Sequence, residues 1–144
     1  LIVFQKDRAT LVLSPTNSIQ LARRALADIP VGGKTPLSAG LSLAHDLIRR
    51  EKVLHPDVLP LIILLTDGAG TVSMSGLPPQ DEAHRIANRI AEDDIRCVVI
   101  NMEHAAFDQG LAVALAQHLD APCYTLSELK AENLYQAVQE EIGG

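Results

Sequence analysis

The sequence predicts an α/β fold, a Rossmann-like three-layer domain with a mostly parallel central sheet, an antiparallel edge hairpin and helices on both faces. Three observations predict it. From Val58 onward, short apolar runs alternate with segments of helical periodicity, the pattern of a parallel sheet covered by crossover helices. The run Val58 to Thr66 is apolar almost throughout, as expected of a strand buried on both faces. The first residues follow a different rule: Leu1 to Phe4 and Thr10 to Leu13 flank the polar stretch Gln5 to Arg8, which reads as an antiparallel hairpin.

Taken in order, Ser14 to Ser18 is loop, and Asn17 or Ser18 caps a helix whose stripe is Ile19, Ala22, Leu26 and Ile29. Pro30 to Gly33 ends that helix. Thr35-Pro36 opens a second one, with proline at the first helical position and Leu37, Leu41, Ala44, Leu47 and Ile48 on its apolar face. After the strand ending at Thr66, Gly68 to Pro79 is a long Gly/Ser/Pro loop. Asp81 to Asp94 matches the amphipathic template with Ala83, Ile86, Ala87, Ile90 and Ala91. Ile95 to Asn101 is a buried strand, Phe107 to Leu119 a helix, Pro122 to Thr125 a short strand, and Lys130 to Ile142 a last helix.

Composition narrows the function classes. The chain has 144 residues and is 47% hydrophobic, which suits one domain with a substantial core. Its formal net charge is −6 and its aromatic content 3%, which argue against a nucleic-acid ligand. No run approaches the length of a membrane span, and no signal peptide opens the chain. Cys97 and Cys123 lie in apolar strand contexts; free thiols in a reducing, cytoplasmic setting are favoured over a disulfide.

Open α/β sheets place their sites at the carboxyl ends of the strands. Three segments are expected to meet there: Gly32-Gly33-Lys34-Thr35-Pro36, Thr66-Asp67-Gly68, and Asn101-Met102-Glu103-His104. Asp67 follows the most apolar strand, so its carboxylate is held at the sheet edge. Its ordinary role is to cap the Asp-Gly turn, and spacing alone favours that role. Thr35 is a helix N-cap whose hydroxyl also suits a hard cation such as Mg²⁺. The glycines do not make a phosphate loop, because position 28 is Asp where that motif needs Gly. The 5 histidines show no metal spacing, and no nucleophile–base pair stands out, so no catalytic residue is assigned.

The order of these motifs is familiar. LIVFQKDRATLVLSPTNS, then GGKTPLSAGL, PLIILLTDG and IRCVVINME together resemble the von Willebrand factor A (integrin I-like) fold over essentially the whole chain. More narrowly, Ile29 to Leu41 is similar to the C-terminal domain of magnesium-chelatase D subunits. The resemblance implies a metal-ion-dependent adhesion site (MIDAS), of which Thr35 and Asp67 are two ligands, with Gly33, Lys34, Gly68 and Glu103 at its edge. The family's Asp-x-Ser-x-Ser and its strand are missing, so the expectation is a single, N-terminally truncated domain over 1–144. Mg²⁺ is then a cofactor of the parent protein and is bound weakly or not at all by this chain.

The same resemblance implies a non-catalytic coupling domain in the ATP-dependent insertion of Mg²⁺ into protoporphyrin IX. Its implied partners are an AAA+ I-type subunit and a porphyrin-binding H-type subunit; the sheet edges that the missing strand leaves open are expected to pair with a second copy of the chain, or else the chain is part of a longer ordered one. The alternatives are an A-type module serving a cobaltochelatase-like or MoxR-type AAA+ system and, further off, a small Rossmann-like enzyme using Asp67 with Glu103 or His104.

Overall fold

The computed structural model describes residues 2–5, 8–11, 36–71, 73–125 and 128, the first two segments as backbone only. The helices expected over Ile19–Ile29 and Lys130–Ile142, and the residues Gly33, Lys34 and Thr35, lie outside the described residues. The described part begins with β1 (Ile2–Gln5) and β2 (Arg8–Leu11), antiparallel with Ile2 opposite Leu11 and Gln5 opposite Arg8.

The first helix, α1, runs Leu37–Leu54. Pro36 precedes it rather than occupying its first position, and the Gly40 amide already bonds to the Pro36 carbonyl at 3.1 Å. Leu37 and Leu41 are buried at helical spacing, and Lys52 in the last turn suits the negative end of the helix dipole. Strand β3 is Leu61–Thr66, shorter than the apolar run from Val58. The reason is local: the Val58 amide closes a turn onto the His55 carbonyl at 2.9 Å, and Pro60 has no N–H for a ladder.

Helix α2 is Pro79–Glu92, with proline at its start and Asp81 and Glu82 in the first turn, where the dipole favours them. It stops at Asp93–Asp94, where Asp94 takes φ 56° and turns the chain into β4 (Arg96–Asn101). The expected helix over Phe107–Leu119 is divided. A 3₁₀ turn covers Ala105–Phe107, and α3 covers Leu111–His118 behind Gly110 at φ 76°. Strand β5 is Cys123–Thr125.

Strands β3, β4 and β5 form a parallel sheet in that order, with Leu61 beside Arg96, Thr66 beside Asn101, and Asn101 beside Thr125. This is an α/β fold with a parallel sheet, as predicted; the helices described all pack on one face of it. The antiparallel edge is not part of it: β1 and β2 pair with each other as a separate two-stranded sheet, and among the described residues neither bonds to the parallel strands.

Pleating sorts the sheet into two faces. Ile62, Leu64, Cys97, Val99 and Cys123 face the core built from α1, α2 and α3. Ala83, Ala87, Ala112 and Ala116 are small enough to let those helices approach closely. On the opposite face Val98 and Ile100 are buried as well, whereas Ile63 and Leu65 on β3 are 41% and 50% exposed. Cys97 and Cys123 are free thiols. Among the described residues no helix is long and apolar enough to cross a membrane.

Candidate functional site at the carboxyl ends of the strands

The β3–β4 register sets Thr66 beside Asn101, so the loops that follow both strands open at one edge of the sheet. Each loop is shaped by the side chain that ends its strand. The Thr66 hydroxyl accepts from the Gly68 amide at 3.0 Å, and Asp67 Oδ1 accepts from the Ala69 amide at 2.9 Å. The turn-capping role of Asp67 is therefore real. It fixes the carboxylate at the mouth of a cavity without consuming both of its oxygens.

Gly68 makes this turn possible. It sits at φ +81°, and a Cβ there would lie 2.2 Å from the Ala112 nitrogen and 2.3 Å from the Leu111 carbonyl carbon. The turn is thus pressed against the start of α3, where no side chain fits. Gln80, in the first turn of α2, holds the turn from its other side. Its Nε2 donates to the Gly68 carbonyl at 2.6 Å and its Oε1 accepts from the Gly70 amide at 2.9 Å.

The second loop is organised by Asn101, which is 2% exposed. Its Oδ1 accepts from the Glu103 amide at 2.9 Å, and its Nδ2 donates to Asp108 Oδ2 at 2.9 Å. Asp108 Oδ1 in turn accepts from the Gly110 amide at 2.8 Å, which is why the helix cannot run through from Phe107. His104 is used locally, its Nδ1 accepting from the Ala106 amide at 3.1 Å.

Between the two loops lies a cavity of about 230 Å³ lined by Asp67, Ala69, Glu103, Phe107, Gln109 and Leu111. Asp67, Gly68 and Glu103 are therefore brought to one edge as expected. His104 is not among the lining residues. The polar lining offers only oxygen and amide groups, a chemistry that fits a hard divalent cation and not a thiophilic one. Among the described residues no three His, Cys, Asp or Glu side chains are grouped to hold a metal by themselves. A second cavity, about 330 Å³ and lined in part by Asp94, Arg96 and Asp120, lies at the opposite ends of the strands, away from the edge where open α/β sheets bind ligands.

Sequence reasoning did not find the most heavily bonded side chain of this region. Glu82, 5% exposed, accepts from the hydroxyls of Ser38, Ser73 and Ser75 and from the amides of Met74 and Ser75 at 2.8 Å each. Burial pushes its carboxyl pKa up, but these donors outweigh burial and hold it at about 2. The sequence showed only an acid in a helix's first turn after a serine-containing loop, a pattern found at countless solvated helix starts.

No family model matches the chain. It is 41% identical over 138 residues to an uncharacterised protein of Mycobacterium tuberculosis, a match that covers 96% of the chain and 22% of that protein. It is 31% identical over 147 residues to the magnesium-chelatase 60 kDa subunit of Cereibacter sphaeroides, covering 99% of the chain and 26% of that subunit. The chain thus spans about a quarter of the length of these relatives. Among solved structures it superposes on the conserved hypothetical protein BatB of Bacteroides thetaiotaomicron with a TM-score of 0.67 at 18% identity, over 99% of this chain and 76% of that one. The chain has an α/β fold of that kind and is distantly homologous to magnesium-chelatase subunits.

Proposed function

From that homology we propose that the chain is a von Willebrand factor A-type interaction domain of a magnesium-chelatase D-type subunit. The observation that carries the reading is the Asp67 turn, fixed from both sides and facing a cavity lined by oxygen and amide groups, in a chain related to magnesium-chelatase subunits over nearly its whole length. Mg²⁺ would be held by Asp67 and Thr35, with Gly33, Lys34, Gly68 and Glu103 at the edge. When bound, it supplies a positive centre that a carboxylate of a partner protein completes.

The chain's own residues do the positioning. The Ala69 amide fixes the rotamer of Asp67, Gly68 lets the turn sit against α3, and Asn101 aims the Glu103 loop at the same cavity. In this reading the domain couples a partner to the site and does not itself catalyse. Its partners are an AAA+ I-type subunit and a porphyrin-binding H-type subunit in a cytoplasmic chelatase that inserts Mg²⁺ into protoporphyrin IX. A second copy of the chain pairs through the border of the sheet at β3.

A second reading is the same site serving another AAA+ system of the cobaltochelatase-like or MoxR type, and the higher identity to an uncharacterised protein than to the chelatase subunit does not distinguish the two. One experiment separates these. Mg²⁺-dependent binding of a chelatase I-type subunit to the full-length protein is measured with the wild type and with Asp67→Ala. Loss of metal-dependent binding in the variant is expected. Binding that is unchanged makes Asp67 a turn residue only, and a wild type that ignores the I-type subunit but still binds Mg²⁺ points to the second reading.

A further inference from the structure

We propose that His84 and Gln80 form a proton-sensitive latch on the Asp67 turn. The latch is a chain of direct contacts from α3 through α2 to the turn. His118 of α3 stacks on His84 of α2, with ring centroids 4.1 Å apart and planes 20° from parallel. His84 Nε2 lies 3.4 Å from Nε2 of Gln80, one helical turn earlier. Gln80 Nε2 donates to the Gly68 carbonyl at 2.6 Å, and Gln80 Oε1 accepts from the Gly70 amide at 2.9 Å. Between those two glycines lies Ala69, whose amide holds the Asp67 carboxylate at 2.9 Å. No cation takes part in this chain of contacts, so it stands independently of whether Asp67 binds Mg²⁺.

The backbone decides which proton each group carries. The Gly68 carbonyl only accepts and the Gly70 N–H only donates, so the Gln80 amide has one usable orientation, NH₂ toward Gly68 and oxygen toward Gly70. The second hydrogen of that NH₂ is left for His84 Nε2. His84 Nε2 is then the lone-pair acceptor, and the neutral ring carries its proton on Nδ1. A proton on Nε2 would set N–H against N–H. His118 differs: its Nδ1 lies 2.9 Å from Asn88 Oδ1, a bond that Nδ1–H donates and that survives protonation at Nε2. The charges acting on His84 are His118 from α3 and Asp81 from its own helix, while α1 meets α2 through Glu82 and Asp93. Burial, then His118, lower the His84 pKa and Asp81 raises it, and the net shift is down from the ordinary 6.5. The latch is closed at neutral pH and opens in mild acid. There the charged ring repels the Gln80 NH₂, the grip on Gly68 and Gly70 is lost, and the turn that carries Asp67 at the cavity mouth is released from α2.

The test is a pH titration followed by NMR on the full-length protein with isotope-labelled histidine, glycine and glutamine, in the absence of Mg²⁺. Neutral His84 is expected to carry its proton on Nδ1 and to titrate with a midpoint below 6.5. The Gly70 amide and the Gln80 NH₂ are expected to shift with that same midpoint, and the Gly70 amide to exchange faster below it. The wild type alone can overturn the inference. A neutral His84 protonated on Nε2 does so, as do Gly70 and Gln80 signals that stay flat while His84 titrates. His84→Phe keeps a ring to stack on His118 and has no proton to gain, so the Gly70 amide is expected to lose its pH dependence in this range. A Gly70 titration that persists in this variant puts the sensor on another group and overturns the latch. With no cation present, failure here leaves the Mg²⁺ reading intact, and unchanged Mg²⁺-dependent binding in Asp67→Ala leaves the latch intact.

Discussion

At the scale of single residues, the site is governed by what each backbone position tolerates. Gly68 and Gly76 have nearly the same left-handed backbone, φ +81° and +83°, but only Gly68 has main chain against it; nothing lies within 4 Å of a Cβ at Gly76. The comparison isolates the contact with α3. Gly76→Ala is expected to cost about 1 kcal/mol, the price of left-handed backbone for an L-residue. Gly68→Ala adds a clash with the Leu111–Ala112 main chain and is expected to cost about 3 kcal/mol or more, at the severe end for a single change. Urea denaturation of both variants measures the difference. Equal losses would mean that α3 moves away freely and that the turn is not pressed against it. Asp67 and Glu103 were legible in the sequence because each follows an apolar strand, and topology sends strand ends to one edge. Glu82 was not, nor were the bonds that Asn101 makes, because their partners come from loops whose course the sequence does not reveal.

At the scale of elements, helix α2 does more than cover the sheet. Its first turn carries Gln80 and Glu82, its apolar face carries Ile86 and Ile90, and its end meets α1 where His45 Nε2 lies 2.6 Å from Asp93 Oδ2. The His84 ring stacks on His118 of α3 with centroids 4.1 Å apart, and burial followed by that neighbour lowers its pKa, against the opposing pull of Asp81. The Glu82 clamp gives α2 a pH signature. Its carboxyl titrates near its ordinary value of 4.5 in the unfolded chain and at about 2 in the folded one. Between those values the unfolded state binds more protons, so the stabilisation is complete above 4.5 and lost as pH falls toward 2. Thermal unfolding followed from neutral pH into this range is expected to show a falling Tm, and Glu82→Gln to show a lower Tm at neutral pH with a shallower fall. Parallel slopes for the two proteins would place the acid sensitivity elsewhere. Most described elements were legible from periodicity alone, α2 to within two residues at each end. Two misjudged boundaries, the start of β3 and the break before α3, depend on hydrogen bonds at His55–Val58 and Asn101–Asp108–Gly110 that a hydrophobic pattern does not encode, and a third, the hairpin turn read over Gln5 to Arg8, is tighter because Gln5 and Arg8 are themselves paired strand residues.

At the scale of the whole molecule, the unsolved question is the border of the sheet. The alternation of strand and helix made the parallel core readable, and the order β3, β4, β5 places β4 in the middle, where Val98 and Ile100 are only 0% and 2% exposed. Among the described residues β3 and β5 are the two borders, and β3 is as apolar as the central β4. A border strand in a protein that stays monomeric is normally blunted by charge, proline or a bulge, and Leu61–Thr66 contains none of these. Its exposed positions Ile63 and Leu65 therefore present both apolar side chains and a backbone edge to whatever pairs there. Pairing with a second copy predicts that sedimentation of the chain depends on concentration. Leu65→Lys is expected to shift that equilibrium toward monomer while changing stability by no more than about 0.5 kcal/mol, since the position is already half in water. A wild type that remains monomeric at high concentration overturns pairing with a second copy and leaves the border to another segment of a longer protein or to another chain. A Leu65→Lys variant that is monomeric and also strongly destabilised means that Leu65 supports the fold of its own chain, and that the exposed face of β3 is structural before it is adhesive.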